Sequence, residues 1–246
     1  MIRIAAVGDI HVGEESVDVF GPHPEALADE ADVLLLAGDL TRRGKRSEAE
    51  VLAGELLRTG GVPTIAVLGN HDYETDAAAD VIAVLADVGV TVLEGTAQIV
   101  ETSGGRLGVA GTKGFGGGFQ GASGSEFGEP EMKAFIAHTR TLASGLTTAL
   151  GSLNGVSARV ALLHYSPVES TLQGERLEIY PFLGSYLLAE AVDLGGALLA
   201  LHGHAHRGTE KGLTPGGTLV RNVAQPVLRR PYGLYCLGGD GTSCGS

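Results

Sequence analysis

The sequence predicts an α/β fold in which two β-sheets belong to one domain. Five short apolar stretches, each of strand length, end at a polar cluster that contains Asp, Asn or His. Helical patterns follow the second and the third stretches, which is the spacing of βαβ units and of a parallel sheet. Beyond residue 90 these helical spacers give way to short strand patterns joined by tight turns, which indicate a second, added sheet.

In the first half of the chain, strands alternate with helices. The strand patterns are Ile2–Val7, Val33–Leu36 and Thr64–Leu68. A helix is predicted to begin at Ser47, because Ser47-Glu48-Ala49-Glu50 has the form of a capping box, and a second helix is predicted over Asp76–Asp87.

The second half begins with short strands and contains one long helix, Glu131–Leu150. Its strand patterns are Thr91–Leu93, Gln98–Glu101, Arg106–Ala110, Val160–Leu163 and Ala197–Leu201, and Gly217–Leu237 returns to short strands. Because no long linker and no internal repeat interrupts the chain, we predict a single domain over residues 1–246, with roughly the last eight residues as a loose tail.

The composition excludes several classes of protein. The 246 residues are 43% hydrophobic and 19% charged, which is typical of a globular chain. A formal net charge of −12 argues against broad nucleic-acid binding, but a local metal charge could still attract a small phosphorylated substrate. No apolar run is long enough to span a bilayer and no signal-peptide pattern is present, so we expect a cytoplasmic protein without a membrane partner. Cys236 and Cys244 match no zinc or redox motif and are expected to be free, and a homo-oligomer is left open.

The segment Gly111–Gly128 departs from the regular pattern, because it is too rich in glycine for a stable strand or helix. It lacks the Gly-Lys-Ser/Thr ending of a P-loop, so a phosphate cradle of that kind is not expected. Two interpretations stay open. The segment is either a mobile surface connection or a flap over a site, in which Phe115 and Phe119 stack on a substrate ring.

The polar clusters that follow the five apolar stretches point to the chemistry. They are Gly8-Asp9-Ile10-His11, Gly38-Asp39, Gly69-Asn70-His71-Asp72, His164, and His202-Gly203-His204-Ala205-His206. Open α/β sheets bind ligands at the carboxyl ends of their strands, so we expect these side chains to gather along one edge of a sheet. Carboxylate, amide and imidazole groups together suit divalent first-row metals. The sequence therefore predicts a metalloenzyme.

The spacing within the clusters indicates how they could share metals. Asp9 and His11 lie two residues apart, so an extended backbone would point both side chains the same way. His204 and His206 repeat that arrangement. The carboxylate of Asp39 has two oxygens and can bridge two cations.

The order Asp-x-His, Gly-Asp, Gly-Asn-His-Asp, His, Gly-His-x-His resembles the calcineurin-like metallophosphoesterase family, whose blocks all occur here in family order between residues 8 and 206. The resemblance implies a four-layer α/β/β/α sandwich, with two packed mixed β-sheets flanked by helices. It also implies two divalent metal ions, for which Mn, Fe, Zn or Co are all suitable. By this resemblance the first metal is held by Asp9, His11, Asp39 and His206, and the second by Asp39, Asn70, His164 and His204.

The resemblance also implies a reaction. Metal coordination lowers the pKa of water towards roughly 7, so a hydroxide held between the two metals would attack phosphorus in line. Two divalent cations against two carboxylates leave a positive site that favours a phosphate. In the family the counterpart of His71 stabilises the transition state or protonates the leaving oxygen, and Asp72 would orient its ring.

Other residues near the clusters have roles that the sequence leaves open. His202 is either a hydrogen-bond donor behind the ligands or a strand-end residue. Tyr165 either lines the pocket or packs beneath it, and Arg207 is a candidate substrate contact by its position after His206. The basic residues of segment 42–46 either hold a second phosphate or form a solvated turn.

The predicted function is hydrolysis of a small phosphodiester, a cyclic nucleotide among the candidates. Gly-Asp-Leu-Thr around Asp39 in one domain looks most like bacterial cyclic-nucleotide phosphodiesterases of the family. A phosphomonoesterase acting on a small metabolite is the rival hypothesis. A nuclease is less favoured, because the chain shows no added DNA-binding or coiled-coil region. A metal-binding scaffold without activity is disfavoured, because every ligand position and His71 carry the expected residue.

Overall fold

Two β-sheets packed face to face form the centre of the computed structural model, which describes residues 1–238. In chain order the strands are β1 (Ile2–Val7), β2 (Val33–Ala37), β3 (Thr64–Val67), β4 (Thr91–Val92), β5 (Thr96–Thr102), β6 (Gly105–Thr112), β7 (Gly118–Phe119), β8 (Ala122–Ser123), β9 (Ala158–Leu163), β10 (Leu199–His202), β11 (Lys211–Leu213), β12 (Leu219–Asn222) and β13 (Gly233–Leu237). The α-helices are α1 (Leu27–Glu30), α2 (Arg46–Leu57), α3 (Ala78–Asp87), α4 (Pro130–Ser152), α5 (Tyr180–Leu183), α6 (Tyr186–Leu194) and α7 (Gln225–Leu228). Short 3₁₀ turns occupy Pro24–Ala26, His71–Tyr73, Glu169–Leu172 and Leu177–Ile179.

Both large sheets mix parallel and antiparallel strands. The first has the order β13-β1-β2-β3-β4, in which only β13 runs antiparallel to its neighbour. The second has the order β11-β12-β10-β9-β6-β5, with parallel central strands and an antiparallel strand at each edge. The predicted parallel first half and the added second sheet are therefore confirmed.

Side chains alternate between two faces along each central strand. Leu35 of β2 and Leu162 of β9 point into the core between the sheets, where both are fully buried. Their neighbours Leu36 and Leu163 point outward, the first into a core shared with α1, α2 and α3 and the second into a core shared with α4 and α6. Strands buried on both faces carry continuous apolar runs, and helices cover the two outer faces. This arrangement is the predicted four-layer α/β/β/α sandwich.

The start of α2 differs from the sequence prediction. The helix begins at Arg46, and the side chain that caps it is Glu48 rather than Glu50. Glu48 Oε2 accepts the backbone N–H of Arg43 at 2.8 Å and that of Lys45 at 3.4 Å. Ser47 instead donates its hydroxyl to Glu14 at 2.8 Å. The capping motif is real but begins two residues earlier than predicted.

The glycine-rich segment is not a mobile surface connection in its first half. Residues 111 and 112 complete β6, and residues 116–119 are buried. Gly111 allows close packing there, because a Cβ at that position would lie 2.7 Å from Val67. Phe119 is buried against Leu172 and Leu183, which disfavours the interpretation that it stacks on a substrate ring. Residues 120–131 are exposed.

Three predictions about the rest of the chain have different outcomes. None of the helices within residues 1–238 combines the length and apolarity needed to cross a membrane. The predicted tail falls on residues 239–246, outside the described part of the chain. Cys236 is disulfide-bonded, so the prediction of a free thiol is wrong for that residue, and Cys244 lies outside the described residues.

The core between the sheets can be tested with a single deletion. We expect Leu35→Ala to lower the free energy of unfolding by about 2–5 kcal/mol, because it removes a fully buried side chain and leaves a cavity that the surroundings fill only in part. Chemical denaturation measures the change. The control is Leu57→Ala, at a leucine that is 69% exposed, where we expect a change within about 0.5 kcal/mol. Equal effects of the two substitutions would contradict the packing described here.

Candidate metal centre

The polar clusters meet where the carboxyl ends of strands from both sheets come together. In the first sheet Val7 is in register with Leu36, and Ala37 with Val67, so β1, β2 and β3 end side by side. In the second sheet Leu201 is in register with Leu162, so β9 and β10 also end together. The sequence predicted one edge of one sheet. The structure corrects this to the shared edge of two packed sheets.

Two groups of side chains at this edge could hold metal ions. They are Asp9, His11, Asp39 and His206, and Asp39, His164 and His204. Within each group the ligand atoms lie within 4.8 Å of one another. Asp39 belongs to both groups and is only 1% exposed. Every member was predicted from the sequence as a candidate ligand.

The backbone at these residues is not extended. Asp9, His11, Asp39 and His204 have positive φ angles of 55°, 42°, 48° and 68°. L-residues adopt this region rarely and at a cost, and such residues concentrate at functional sites. The prediction that an extended backbone aligns Asp9 with His11 is therefore wrong. The two side chains reach one site because the loop turns between them.

Two glycines make room for the buried carboxylates. A Cβ at Gly69 would lie 2.1 Å from Asp39 Oδ1, and a Cβ at Gly203 would lie 2.2 Å from Asp9 Oδ2. No larger residue fits at these distances without moving a carboxylate. The glycine that precedes Asn70 and the one that precedes His204 are thus parts of the site.

Asp9 is bound by the last polar cluster of the chain. Both of its carboxylate oxygens accept the backbone N–H of His204, at 3.0 and 2.9 Å, and His206 Nε2 lies 2.9 Å from Oδ1. Burial raises the pKa of Asp9 to about 6, against the opposing hydrogen bond from His206. The same bond raises the pKa of His206. A cation beside this pair would favour the charged carboxylate and the neutral imidazole.

The ring of His11 has a buried nitrogen that no neighbour satisfies. His11 Nε2 has no hydrogen-bond partner among the described residues and lies 3.7 Å from Asp39 Oδ2. Burial lowers the pKa of His11 to about 4, so the imidazole is neutral near pH 7. An unsatisfied buried nitrogen is costly unless a ligand binds it. This nitrogen faces the site, so the residues present fit a metal ion.

His164 presents a lone pair to two oxygens. Its Nδ1 lies 2.9 Å from the carbonyl oxygen of Ala37, which can only accept, so Nδ1 carries the proton. Burial lowers the pKa of His164 to about 3, and Nε2 therefore stays unprotonated. Nε2 lies 3.0 Å from Asn70 Oδ1 and 3.4 Å from Asp39 Oδ1. A cation between these acceptors would relieve their mutual repulsion.

His204 is oriented in a similar way. Its Nε2 lies 3.3 Å from the carbonyl oxygen of Phe182, so Nδ1 is the nitrogen left for the site. Burial lowers the pKa of His204 to about 3. The ring of Tyr165 lies 4.3 Å from the ring of His204, and Tyr165 is only 6% exposed. Of the two roles left open for Tyr165, packing beneath the site is the one observed.

Asp72 was predicted to orient the ring of His71, but the carboxylate of Asp72 forms its hydrogen bonds with other residues. His71 Nδ1 lies 2.8 Å from the carbonyl oxygen of Arg42, which leaves Nε2 facing Asp39 Oδ2 at 4.0 Å. The carboxylate of Asp72 is fully buried and accepts hydrogen bonds from Leu40 N, Thr41 N, Thr41 Oγ1 and Gly69 N. Asp72 therefore joins the loops after β2 and β3, and the carbonyl of Arg42 orients the ring of His71.

The structure also places the residues whose roles were open. His202 is fully buried, with Nε2 2.8 Å from Thr171 Oγ1 and Nδ1 2.7 Å from the carbonyl oxygen of Gly203, so it supports the loops behind the ligands. Arg207 is exposed at the rim, where its N–H donates to Glu175 at 2.7 Å. In the basic turn, Arg42, Lys45 and Arg46 each pair with a carboxylate, of Glu15, Glu14 and Glu50 respectively. This pairing favours the solvated turn.

Phe115 and Lys113 lie in the loop that follows β6, close to the second ligand group. Phe115 is half-buried and packs against Tyr165 and Phe135, with ring centroids 5.6 and 5.0 Å away. Lys113 was not predicted as a site residue, yet its carbonyl oxygen accepts the backbone N–H of His164 at 3.1 Å. The sequence did contain a signal for Lys113 as a site residue, because Lys113 directly follows a strand, as the ligand clusters do.

Comparisons with known proteins agree with this fold. The family model of calcineurin-like phosphoesterases matches residues 2–208. A search of curated proteins finds no match. Among solved structures, phosphopantetheinyl hydrolase from Mycobacterium tuberculosis is similar with a TM-score of 0.65 and 17% sequence identity, covering 92% of each chain.

Two other solved structures have the same fold. TT1561 of Thermus thermophilus has a TM-score of 0.56 and 19% identity, covering 95% of this chain and 93% of that one. GAP50, the anchor in the inner membrane complex of Plasmodium, has a TM-score of 0.53 and 11% identity, covering 92% of this chain and 72% of that one. At these identities the likeness shows the fold alone. The match to the family model covers most of the chain, which therefore belongs to the calcineurin-like phosphoesterases, a family of metal-dependent phosphoric ester hydrolases.

Proposed function

We propose that this chain is a dinuclear-metal phosphodiesterase that hydrolyses a small phosphodiester, with cyclic nucleotides among the candidate substrates. The observation that carries the proposal is the pair of ligand groups that share the buried carboxylate of Asp39. Asn70 adds an oxygen beside the second group, 3.0 Å from His164 Nε2. The metals are divalent ions of the Mn, Fe or Zn type, since carboxylate and imidazole ligands together suit these.

The ligand residues are set to bind cations at neutral pH. The pKa values of His11, His164 and His204 lie at about 4, 3 and 3, lowered by burial, so their imidazoles are neutral. The carbonyl oxygens of Ala37 and Phe182 fix which nitrogen of His164 and of His204 faces the site. Two bound divalent cations supply an activated water at neutral pH and offset the charge that develops on a phosphate.

His71 is the residue of this chain that we propose as the acid. The hydrogen bond of Nδ1 to the carbonyl of Arg42 places the proton on Nδ1 in the neutral ring, and Nε2 then faces the space beside Asp39. A protonated Nε2 can donate to a phosphate oxygen or to the leaving oxygen. Asp72 acts indirectly, as a positioning residue, since its four hydrogen bonds hold the loops that carry Asp39 and His71.

Membership of the calcineurin-like phosphoesterase family supports a phosphoester substrate without naming it. One of the similar structures bears the name phosphopantetheinyl hydrolase, which describes that protein. GAP50 bears the name of an anchor, so the fold also serves proteins named for a structural role. This chain keeps all of the predicted ligands, and that favours the enzyme over the scaffold.

Metal removal tests the proposed function directly. We expect the chelator-stripped protein to be inactive and Mn²⁺ to restore hydrolysis of bis(p-nitrophenyl) phosphate in preference to p-nitrophenyl phosphate. Release of nitrophenolate measures both reactions. Preference for the monoester would replace the proposed diesterase with a phosphatase. Turnover of neither ester by protein that binds two metals would favour a metal-binding scaffold.

Asp39 should control both metals. We expect Asp39→Ala to lose both ions and turnover, because the carboxylate belongs to both ligand groups. His206→Ala should weaken the first ion alone and His204→Ala the second. Metal content after dialysis, measured by mass spectrometry, distinguishes these outcomes. The control is Asp80→Ala, at an exposed aspartate on α3, which should keep two ions. Two tightly held ions in Asp39→Ala would refute the shared ligand.

His71 should matter for the rate and not for the metals. We expect His71→Ala to keep both ions and to lower kcat roughly a hundred- to ten-thousandfold, the usual contribution of an acid–base group. Steady-state kinetics and metal analysis of the same preparation give both values. Loss of the metals in this variant would mean that His71 is a ligand.

A further inference from the structure

Lys113 lies beside the second ligand group and has no role in the proposed function so far. Its carbonyl oxygen accepts the backbone N–H of His164 at 3.1 Å and that of Tyr165 at 3.0 Å. These bonds fix the residue to the loop that carries a candidate ligand. Its side chain lies close to Tyr73, which ends the 3₁₀ turn that begins at His71.

Three aromatic rings surround the ammonium group of Lys113. Nζ lies 5.1 Å from the ring centroid of Tyr73, 5.0 Å from that of Phe115 and 5.6 Å from that of Tyr165. Cation–π attraction over such distances holds a cation in place. The ring of Tyr165 lies in turn 4.3 Å from the ring of His204, so the ammonium group and the second ligand group flank the same tyrosine.

The ammonium group has unused hydrogen-bond donors. Lys113 is half-buried, and within residues 1–238 its Nζ forms no hydrogen bond and no direct ion pair, while the charges of Glu94 and Asp39 act on it from farther away. The cations of the basic turn differ, since Arg42, Lys45 and Arg46 are each paired with a carboxylate. An ammonium carries three donors and no acceptor, and among the described residues none of the three is bonded to an oxygen. A group held in this state, beside a metal centre, is suited to an anionic ligand.

We propose that Lys113 binds a non-bridging oxygen of the substrate phosphate on the side of the second ligand group. This inference rests on the proposed function, because it deepens the recognition of the same phosphate. Burial lowers the pKa of Lys113, while the charges of Glu94 and Asp39 raise it. The rings of Tyr73, Phe115 and Tyr165 position the ammonium group, and this gives the half-buried Phe115 a supporting role in place of direct substrate stacking.

The kinetic test compares Lys113→Met with Lys113→Arg in Mn²⁺-loaded protein. A lost charge-assisted hydrogen bond should lower kcat/KM for the diester about ten- to a hundredfold in the methionine variant. The loss should be greater for the nitrophenyl monoester, because its phosphate carries more negative charge. Lys113→Arg should recover part of both values. Lys211→Met is the matched control at an exposed lysine on β11 and should behave as the wild type.

A second test uses the unmutated protein, so that a folding defect cannot obscure the result. Acetic anhydride should modify Lys113 in the Mn²⁺-loaded protein, and inorganic phosphate should protect it, while Lys211 stays equally reactive. Peptide mass spectrometry reads both sites. Unchanged kcat/KM for both esters in a metal-replete Lys113→Met protein would overturn the inference, as would labelling that phosphate does not reduce. If the wild type hydrolyses neither ester, the proposed function fails, and phosphate protection still tests Lys113 separately.

Discussion

The buried carboxylate of Asp39 is the charge on which the rest of this site depends. It is 1% exposed and belongs to both ligand groups. A buried anion is unfavourable unless it is paired and hydrogen-bonded. The backbone N–H of His71 donates one bond to it at 2.8 Å, and the nearest ring nitrogens are those of neutral imidazoles. Two cations would supply the positive charge that the buried carboxylate lacks, and the other ligands are placed where they could bind the same cations.

The fold gathers these ligands because two sheets end at one place. The parallel strands β1, β2 and β3 bring three loops to the edge of the first sheet, and β9 and β10 bring two loops from the second. Asp9 connects distant parts of the chain, since its carboxylate accepts the N–H of His204. Asp72 holds two neighbouring loops together through Thr41 and Gly69. The site is thus built on rigid strand ends, and its strained residues are held by the surrounding hydrogen bonds.

Much of this could be predicted from the sequence, and the physical reasons for the failures are specific. Strand positions follow from apolar runs, and the ligands follow from the polar residues at their ends. The positive φ angles of Asp9 and His11 could not be predicted, because they depend on bonds to the loop after β2. The prediction that Asp72 orients His71 was wrong, since their proximity in the sequence does not reveal that the carboxylate of Asp72 accepts backbone N–H groups elsewhere in the loops after β2 and β3.

The side chains around the glycine-rich segment were the least predictable. Glycine content suggested mobility, yet Gly111 lies within β6, and close packing against Val67 leaves no room for a Cβ at that position. The burial of Phe119 and the aromatic surroundings of Lys113 depend on contacts with residues far away in the chain. Periodicity along one segment carries no information about such contacts. The sequence pattern therefore identified the candidate ligands that the structure brings together, but it did not predict the side chains that surround them.

The central claim is that Asp39 joins two metal ions in one centre. Anomalous diffraction from crystals grown with Mn²⁺ tests it most directly. We expect two peaks about 3.5–4 Å apart, with the carboxylate of Asp39 between them. A single peak, or two peaks of which one lies away from Asp39, would contradict it.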